Sequence, residues 1–483
     1  MALSFVRTGL STATADAPLA EPSQARPQSR PLPHPPLPAP APGAIPVAAP
    51  VRAAAAPAPA GASGASTPSL VPPRVECIAD TGLEESFIAD LILKVLYFNG
   101  VITAGQVAHV LRLPFIGVVD GLLESLKANH AIEVQGAGSA LTVAYKYALT
   151  DKGRNKVREL LERSSYAGAC PVTLEDYAYM VSKQRARDAH VTRTVVEQAF
   201  SQMVLEPRVL EQVGPAINSG ESIFLFGAPG NGKTTIAEIA TTCLGGDVYI
   251  PYALIVEGEI IRVFDDSVHQ EMDDPNQNTD GRWVRSKRPT VIAGGELTLP
   301  ALDLTYSRES KVYEAPLQLK ANCGMFLIDD FGRQQCTPAA LLNRWIVPLE
   351  KHVDYLNLVT GTKIKVPFEE LIVFSTNLSP KDLVDDAFLR RMQYKIEVRS
   401  PSIPQFKEIF QRVAKGKGVT FTEEAFDYLM AEHYEKAGRE PQACHPRDLI
   451  NHLLSASRYY DVPPVLSREL IDFACRSYFA RLG

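Results

Sequence analysis

The chain of 483 residues lacks several features that would place it in other classes of protein. No uninterrupted apolar run reaches the roughly 18–20 residues that a helix needs to cross a bilayer, so no membrane span is expected. The N-terminus does not join a charged segment to a long apolar core, and no secretory signal is expected. Seven cysteines are scattered and none forms a C-x-x-C pair. This pattern favours reduced thiols in the cytoplasm over a disulfide or zinc framework.

An excess of positive charge is also missing. Lys and Arg number 49 against 55 Asp and Glu, which gives a formal net charge of −6. Proteins that coat nucleic acid neutralise its phosphates with Lys and Arg, so the simplest electrostatic case for that function is excluded. Residues 1–73 carry four Arg against two acidic residues, and the rest of the chain therefore has a net charge of −8. That balance favours a protein client over DNA.

Proline is abundant only at the N-terminus, where residues 1–73 hold 17 of the 37 prolines and only six charged residues. Such a composition offers little apolar surface to offset the entropy of ordering the chain. We predict a disordered, partly polyproline-II tail over residues 1–73. An alternative stays open for the sequence RPLPHPPLP at 30–38, because proline-rich segments of this kind dock into aromatic-lined grooves.

Residues 84–165 are predicted to form one small domain. The apolar spacing indicates a first helix in EESFIADLILKVLYF, a second from Thr103 to Leu111 with Thr103 as its N-cap, and a third roughly from Phe115 to Asn129. Two strands and a fourth helix, which opens at Thr150 or Asp151, complete the domain. A linker with a mixed helix is expected over 166–190.

This order of elements resembles a winged helix, in which the third helix usually reads DNA. Here the predicted third helix carries Asp120 and Glu124 against Lys127 only. Carboxylates are unsuited to approaching phosphates. Protein docking is therefore favoured for this domain, and direct DNA contact is kept as the alternative.

The strongest motif is ESIFLFGAPGNGKTTIAEIA at 221–240. A short apolar strand, a glycine loop matching GxxxxGK[ST] and a helix follow one another, which is the context that a phosphate loop requires. Glycines let backbone N–H groups surround phosphate oxygens, and the helix N-terminus adds favourable partial charge. Lys233 would reach the β/γ-phosphates and Thr234 would ligate Mg²⁺. The predicted ATP-binding residues of this loop are Gly227, Pro229, Gly230, Asn231, Gly232, Lys233, Thr234 and Thr235.

A second motif is GMFLIDDFGRQ, in which an apolar run ends in Asp329 and Asp330. It predicts a buried parallel strand with two carboxylates at its carboxyl end, where open α/β sheets bind ligands. Asp329 would hold Mg²⁺ through water, and Asp330 would orient or deprotonate the attacking water. Thr234 and Asp329 are therefore the predicted metal residues.

With these motifs in this order, residues 191–483 resemble an AAA+ ATPase, a P-loop NTPase family. The resemblance implies a parallel sheet flanked by helices over 191–399 and a helical lid over 400–483. LIVFSTN looks like the sensor-1 strand, which would make Asn377 a group that places the water. DDAFLRRMQYKIEV looks like the arginine-finger box, so Arg390 or Arg391 would reach a neighbouring subunit's γ-phosphate. HPRDLINHLL looks like sensor 2, from which Arg447 would reach the nucleotide.

Two features depart from the family pattern. At the second of the two acidic residues that follow the strand, the family most often has Glu, whereas this chain has Asp330. The Asp side chain is one methylene shorter, which predicts slow turnover. Lys233 and Asp329 are also 96 residues apart, longer than a minimal core. We expect additional strands or hairpins in the extra chain. Its basic cluster is expected to be a solvated loop, with contact to an anionic partner as the alternative; the cluster consists of Arg282, Trp283, Arg285, Lys287 and Arg288.

The layout also resembles bacterial predicted ATPases with an N-terminal winged-helix part. By family analogy it implies ATP and Mg²⁺ as cofactors and a homo-oligomeric ring of six subunits. Three functions stay open: a remodelling ATPase acting on a protein client, a DNA-associated loader or regulator, and a nucleotide-dependent switch with little hydrolysis.

Overall fold

The computed structural model describes residues 71–137, 141–276, 278–383 and 386–479. The predicted tail lies outside the described residues except for its last three, 71–73. There Pro73 forms an antiparallel bridge with Thr279, and the Pro72 carbonyl accepts a hydrogen bond from the Asp280 backbone N–H. These three residues are thus attached to the folded part of the chain.

The first part of the fold packs helices against a small antiparallel sheet with the strand order β1-β3-β2. Its core is built from the apolar faces of the helices, with Ile88, Leu91 and Val107 fully buried. The elements are α1 (Glu85–Asn99), β1 (Ile102–Thr103), α2 (Ala104–Leu111), α3 (Asp120–Ala128), β2 (Ile132–Ala137), β3 (Tyr145–Leu149) and α4 (Asp151–Leu161).

Two details of these helices bear on the expectations from sequence. The predicted start of α2 is confirmed, because the Thr103 hydroxyl accepts a hydrogen bond from the Gln106 backbone N–H at 3.2 Å. The predicted third helix from Phe115 was wrong in its first turn. Ile116 and Gly117 have non-helical backbone angles, with φ at +88° for Gly117, and the regular helix begins at Asp120. The Asp120 carboxylate accepts from the Gly117 N–H at 3.0 Å, which fixes this break.

The segment 166–190 was predicted as a linker with a mixed helix. It contains β4 (Val172–Thr173) and α5 (Leu174–Lys183). Tyr177 and Met180 on α5 are buried against the strands that follow later in the chain. This segment is therefore packed into the fold along much of its length.

Residues 191–399 form a mixed α/β region. A parallel sheet flanked by helices lies at its centre, and further strands surround it. Its elements are α6 (Arg193–Ala199), α7 (Pro207–Ser219), β5 (Ile223–Phe226), α8 (Lys233–Cys243), β6 (Asp247–Pro251), β7 (Ala253–Val256), β8 (Glu259–Arg262), β9 (Trp283–Lys287), β10 (Thr290–Ala293), β11 (Thr305–Ser307), β12 (Val312–Glu314), α9 (Leu317–Ala321), β13 (Met325–Ile328), α10 (Pro338–Lys351), β14 (Val353–Asn357), β15 (Lys363–Pro367), β16 (Leu371–Thr376), α11 (Pro380–Leu383), α12 (Asp386–Arg391) and β17 (Tyr394–Glu397).

The central sheet has the strand order β10-β13-β16-β5-β17, and every neighbouring pair is parallel. The inner strands β13, β16 and β5 are apolar on both faces, as a sheet covered on both sides requires, whereas the edge strand β17 carries the exposed Lys395 and Glu397. Leu225 and Leu327 face the side that α7 and α8 cover. Phe224 and Phe326 face the opposite side, where they pack with Trp345 of α10. Because the five strands are parallel, their carboxyl ends lie at one edge of the sheet.

The extra chain between α8 and β13 forms strands, as expected. A mixed sheet has the order β11-β12-β8-β7-β4, and β6 pairs with β9. The hairpin β14–β15 packs onto the same apolar core, with Leu356 and Ile364 buried. One part differs from the expectation, because Thr290–Ala293 is the edge strand of the parallel sheet.

The arginines and Trp283 of this basic cluster lie neither in a solvated loop nor on an exposed surface for an anionic partner, whereas Lys287 is exposed. Arg282 is 3% exposed and forms an ion pair with Asp280 at 2.8 Å, and Trp283 is also buried. Arg285 pairs with Asp247 at 2.5 Å. Arg288 donates to the backbone carbonyls of Gly245, Gln184 and Cys323. Both sequence interpretations were wrong for these arginines, since most of their partners come from other parts of the chain.

The C-terminal part is a helical unit around its own apolar core, which includes Phe406, Phe426 and Ile450. Its helices are α13 (Ile403–Lys417), α14 (Glu423–Leu429), α15 (His445–Tyr460) and α16 (Arg468–Tyr478). Within the described ranges, no single helix is long and apolar enough to cross a membrane. One pair, Ala104–Leu111 and Phe115–Ala128, meets that length and composition criterion only jointly and across an 80° bend.

Candidate functional site

Polar residues gather where three neighbouring parallel strands end. The loop 227–232 follows β5, Asp329 and Asp330 follow β13, and Asn377 follows β16. Because β16 lies between β13 and β5, Asn377 is placed between the acidic pair and the glycine loop. Residues far apart in sequence thus meet at the carboxyl edge of the sheet, where α/β proteins bind ligands.

The glycine loop has a backbone that other residues would strain. Gly230 and Gly232 have φ of +76° and +82°, in the left-handed region. A Cβ added at Gly230 would overlap the Cys444 thiol, and one added at Gly227 would overlap the Val398 carbonyl oxygen. The backbone and the close contacts at Gly227 and Gly230 therefore restrict these loop positions to glycine.

Lys233 opens α8 and is 6% exposed. Its ammonium group donates to the carbonyls of Gly227 at 3.0 Å and Ala228 at 2.9 Å, and to Asn377 Oδ1 at 2.7 Å. Burial lowers the pKa of Lys233, and the nearby charges of Asp329 and Asp330 oppose that shift. The side chain is thus held over the loop by three acceptors.

Two further side-chain hydrogen bonds connect the loop to the acidic strand end. The Thr234 hydroxyl donates to Asp329 Oδ2 at 2.8 Å, and Asn377 Nδ2 donates to Asp330 Oδ1 at 2.8 Å. Asp330 has φ of +50°, and its backbone N–H donates to Asp329 Oδ1 at 3.0 Å. Asn377 therefore bridges Lys233 and Asp330 through the two ends of one amide.

The oxygen atoms of Thr234 and Asp329 are the donors here that suit a magnesium ion. Mg²⁺ prefers oxygen ligands and usually keeps several waters while binding one or two protein groups and substrate phosphates. Among the described residues there is no cluster of three or more His, Cys, Asp or Glu side chains that could hold a metal. A hydroxyl and a carboxylate side by side fit an ion shared with a phosphate, and do not form an all-protein cage.

A cavity of about 520 Å³ opens over these groups. Most residues predicted from the sequence line it, whereas Gly227 does not line it but accepts a hydrogen bond from Lys233 through its carbonyl. The predicted residues along the wall are Pro229, Gly230, Asn231, Gly232, Lys233, Thr234, Thr235, Asp329, Asp330, Asn377 and Arg447.

Other lining residues were missed by the sequence analysis. Met203 and Leu205 come from the segment before α7, and Ile409, Arg412 and Cys444 come from the helical unit. Ile409 and Arg412 are three positions apart on α13, so they share one face of that helix. That helical spacing was the available signal, but it gave no reason to choose this face over the others.

Arg447 and Asn231 reach the cavity in different ways. Arg447 lies in the first turn of α15, with its side chain largely exposed and its Nε donating to Asp448 at 3.1 Å. Asn231 is 2% exposed, and both polar atoms of its side chain bond to residues of the C-terminal part, Ser400 and Ala443.

Arg390 and Arg391 stand apart from this cavity. They end α12, and neither lines the cavity. Arg390 is exposed, whereas Arg391 donates to Glu350 of α10 at 2.7 Å. Within one chain, the structure does not bring these arginines to the glycine loop.

Comparison with known protein families gives a match in the C-terminal helical part. A family model described as a domain of unknown function, DUF8689, matches residues 402–477. No curated protein matches the chain.

Several solved structures are similar to this chain at low sequence identity. NtrX from Brucella abortus in complex with ATP is 15% identical with a TM-score of 0.36, covering 68% of this chain and 66% of that one. The Thermotoga maritima RuvB Holliday junction branch migration motor is 14% identical, with a TM-score of 0.33 and coverage of 56% and 69%. Domain III of the Thermotoga maritima replication initiation protein DnaA is 13% identical, with a TM-score of 0.33 and coverage of 59% and 98%.

These similarities are weak. The chain spans slightly less than two thirds of the NtrX chain. With TM-scores of 0.33–0.36, they carry no argument about the function of this chain.

Proposed function

We propose that this chain is an ATP-binding and ATP-hydrolysing enzyme of the AAA+ type, with residues 191–399 as its core and 400–483 as its lid. The observation that carries the proposal is the hydrogen-bonded set Lys233, Asn377 and Asp330, with Thr234 and Asp329 beside it, under one cavity. These are the group types that phosphoryl transfer uses, since its catalysis depends on positioning and charge stabilisation.

Lys233 and the loop are suited to holding phosphates. Phosphate oxygens would take the place of the carbonyls that Lys233 contacts at 2.9–3.0 Å. Thr234 and Asp329 would hold Mg²⁺, which neutralises charge on the phosphate oxygens when bound. The loop glycines leave room for a close approach of backbone N–H groups.

Asp330 and Asn377 are proposed to act on the attacking water. The Asp330 carboxylate is exposed to the cavity and held by Asn377 at 2.8 Å, so it can accept a proton from a water above it. Because Asp is one methylene shorter than Glu, we expect slow turnover. A switch with little hydrolysis is the limiting case of this expectation.

The arginines of α12 are proposed to act on a neighbouring subunit. They lie away from the cavity of their own chain, and a guanidinium stabilises the charge that develops during phosphoryl transfer. This role requires a homo-oligomer, and by family analogy a six-membered ring. Arg391 would have to leave Glu350, whereas Arg390 is exposed.

The test of the enzyme claim is the ATP hydrolysis rate of wild type and of Lys233→Ala. We expect a loss of at least about 100-fold, because Lys233 stabilises charge in the transition state. Lys365→Ala, at an exposed lysine of β15, is the matched control and should hydrolyse ATP at the wild-type rate. Equal rates for wild type and Lys233→Ala would remove the claim.

Mixing two inactive variants tests catalysis between subunits. Lys233→Ala subunits offer an intact finger, and Arg390→Ala/Arg391→Ala subunits offer an intact nucleotide site. Recovered activity in the mixture supports a finger acting across the interface. No recovery, with both variants still assembling, would contradict it.

The client is proposed to be a protein, because the chain outside residues 1–73 has a net charge of −8. A DNA-associated function is the second candidate, favoured by the four helices and antiparallel sheet of residues 85–161. Against it, Lys127 on α3 is paired with Glu124 at 3.3 Å. DNA binding of the full chain that weakens steeply with salt would support the second candidate.

A further inference from the structure

The glycine loop is fastened to the C-terminal helical unit by three hydrogen bonds. Asn231 Oδ1 accepts from the Ala443 backbone N–H at 3.2 Å, and Asn231 Nδ2 donates to Ser400 Oγ at 3.3 Å. The Gly230 carbonyl accepts from the Cys444 backbone N–H at 2.9 Å. Two successive loop residues therefore hold two successive residues of the helical unit.

The residues held in this way lie directly before α15. His445 begins that helix and is buried, with its ring Nδ1 3.0 Å from the Tyr434 hydroxyl. Arg447 follows in the first turn and lines the cavity. The position of residues 443–444 therefore sets where the first turn of α15, and Arg447 with it, stands relative to the loop.

We propose that Asn231 is a positioning residue that holds Arg447 at the nucleotide site by fastening the lid to the glycine loop. This inference rests on the proposed function, because it assigns Arg447 to the bound nucleotide. Asn231 does not itself need to contact the phosphates through its side chain, since both polar atoms of its amide are occupied by the lid.

The burial of Asn231 makes this contact costly to lose. At 2% exposure the Asn231 amide has little access to water. In an Asn231→Ala variant, Ala443 and Ser400 would lose their hydrogen-bond partners, and water would replace those partners only after the lid shifts. The contact between Arg412 and the Ser201 carbonyl, at 2.9 Å, lies outside this set and remains in an Asn231 variant. We therefore expect a displaced lid and not a detached one.

A double-mutant cycle on kcat for ATP tests the proposal. Asn231→Ala and Arg447→Ala are each expected to lower kcat about tenfold. If Asn231 acts through Arg447, the double variant should be about as slow as Arg447→Ala alone. Independent losses that multiply to about 100-fold would overturn the proposal.

Ser400→Ala gives a second variant outside the cavity. It removes one of the two partners of the Asn231 side chain and leaves the loop sequence unchanged. We expect a loss of about threefold in kcat, and this loss should vanish in the Arg447→Ala background. A loss that persists there would contradict a route through Arg447.

Amide hydrogen exchange separates failure of this proposal from failure of the proposed function. In the protein without nucleotide, Asn231→Ala should speed exchange at Ala443 and Cys444 about tenfold or more. Asn218→Ala is the matched control, because Asn218 also makes two hydrogen bonds, both to Val191, away from the lid. Unchanged exchange at 443–444 in Asn231→Ala would overturn the fastening, even if the protein hydrolyses ATP.

Discussion

Lys233 and Arg282 are both buried cations next to strands, yet the groups around them are of different kinds. Lys233 follows a strand of the parallel sheet and meets Asn377, Asp329 and Asp330 under a cavity. Arg282 precedes a strand of the additional sheets and bonds Asp280 and the carbonyls of Thr81 and Pro171. Burial of a charge alone therefore does not indicate a site. Convergence of several polar side chains on one cavity does.

The largest expected effect concerns Arg282. Arg282→Ala leaves Asp280, 4% exposed, as an unpaired buried charge, and we expect a loss of about 3–5 kcal/mol in unfolding free energy. Denaturant unfolding followed by fluorescence reports this directly, because Trp283 is adjacent and buried. Lys287→Ala, on the same strand but exposed, should change stability by less than about 0.5 kcal/mol. Equal stability of the two variants would contradict a structural role for Arg282.

Asn377→Ala, at the parallel sheet, should mainly lower the rate of ATP hydrolysis, whereas Arg282→Ala should mainly lower stability. It removes the bridge between Lys233 and Asp330, so we expect kcat for ATP to fall about 100-fold. Asn357→Ala, at an exposed position of β14, is the control and should retain the wild-type rate. A large loss of stability with unchanged kcat would make Asn377 a structural residue like Arg282.

The pH dependence of the C-terminal helical unit gives a further test. Burial lowers the pKa of His445 to about 4, against about 6.5 in the unfolded chain. The unfolded chain binds more protons between these values, so the stability of the C-terminal helical unit should fall as pH drops from 6.5 toward 4, by at most about 1.4 kcal/mol per pH unit. Hydrogen exchange of the α15 amides measures this, and a His445→Gln variant should lack the dependence. An unchanged slope in that variant would assign the effect elsewhere.

The smallest expected effect compares two glycines. Gly230→Ala places a side chain at φ of +76° against Cys444, and we expect a loss of about 1–2 kcal/mol together with weaker ATP binding. Gly416 lies in α13 with open space around it, so Gly416→Ala should stabilise the chain by about 0.5–1 kcal/mol. Thermal unfolding of both variants checks the contrast. Equal shifts would mean that Cys444 does not restrict the residue at position 230.

The sequence predicted the loop and the acidic strand end well because their requirements are local. A strand, a glycine turn and a helix start are contiguous, and so are the apolar run and Asp329. Arg282 was misjudged because its carbonyl partners at Thr81 and Pro171 lie 201 and 111 residues away. The break at Gly117 depended on one backbone angle, which apolar spacing does not report. Long-range partners and single dihedral angles are thus what the sequence left undetermined.

The central claim is that ATP binds in this cavity. Its most direct test is whether ATP with Mg²⁺ protects Cys444 from an alkylating reagent. Cys444 lines the cavity, and Cys77 is exposed elsewhere and serves as an internal control. At an ATP concentration about ten times the Kd, labelling of Cys444 should slow about tenfold while labelling of Cys77 is unchanged. Mass spectrometry of the labelled peptides gives both rates in one sample. Equal slowing at both cysteines, or none at Cys444, would contradict nucleotide binding in this cavity.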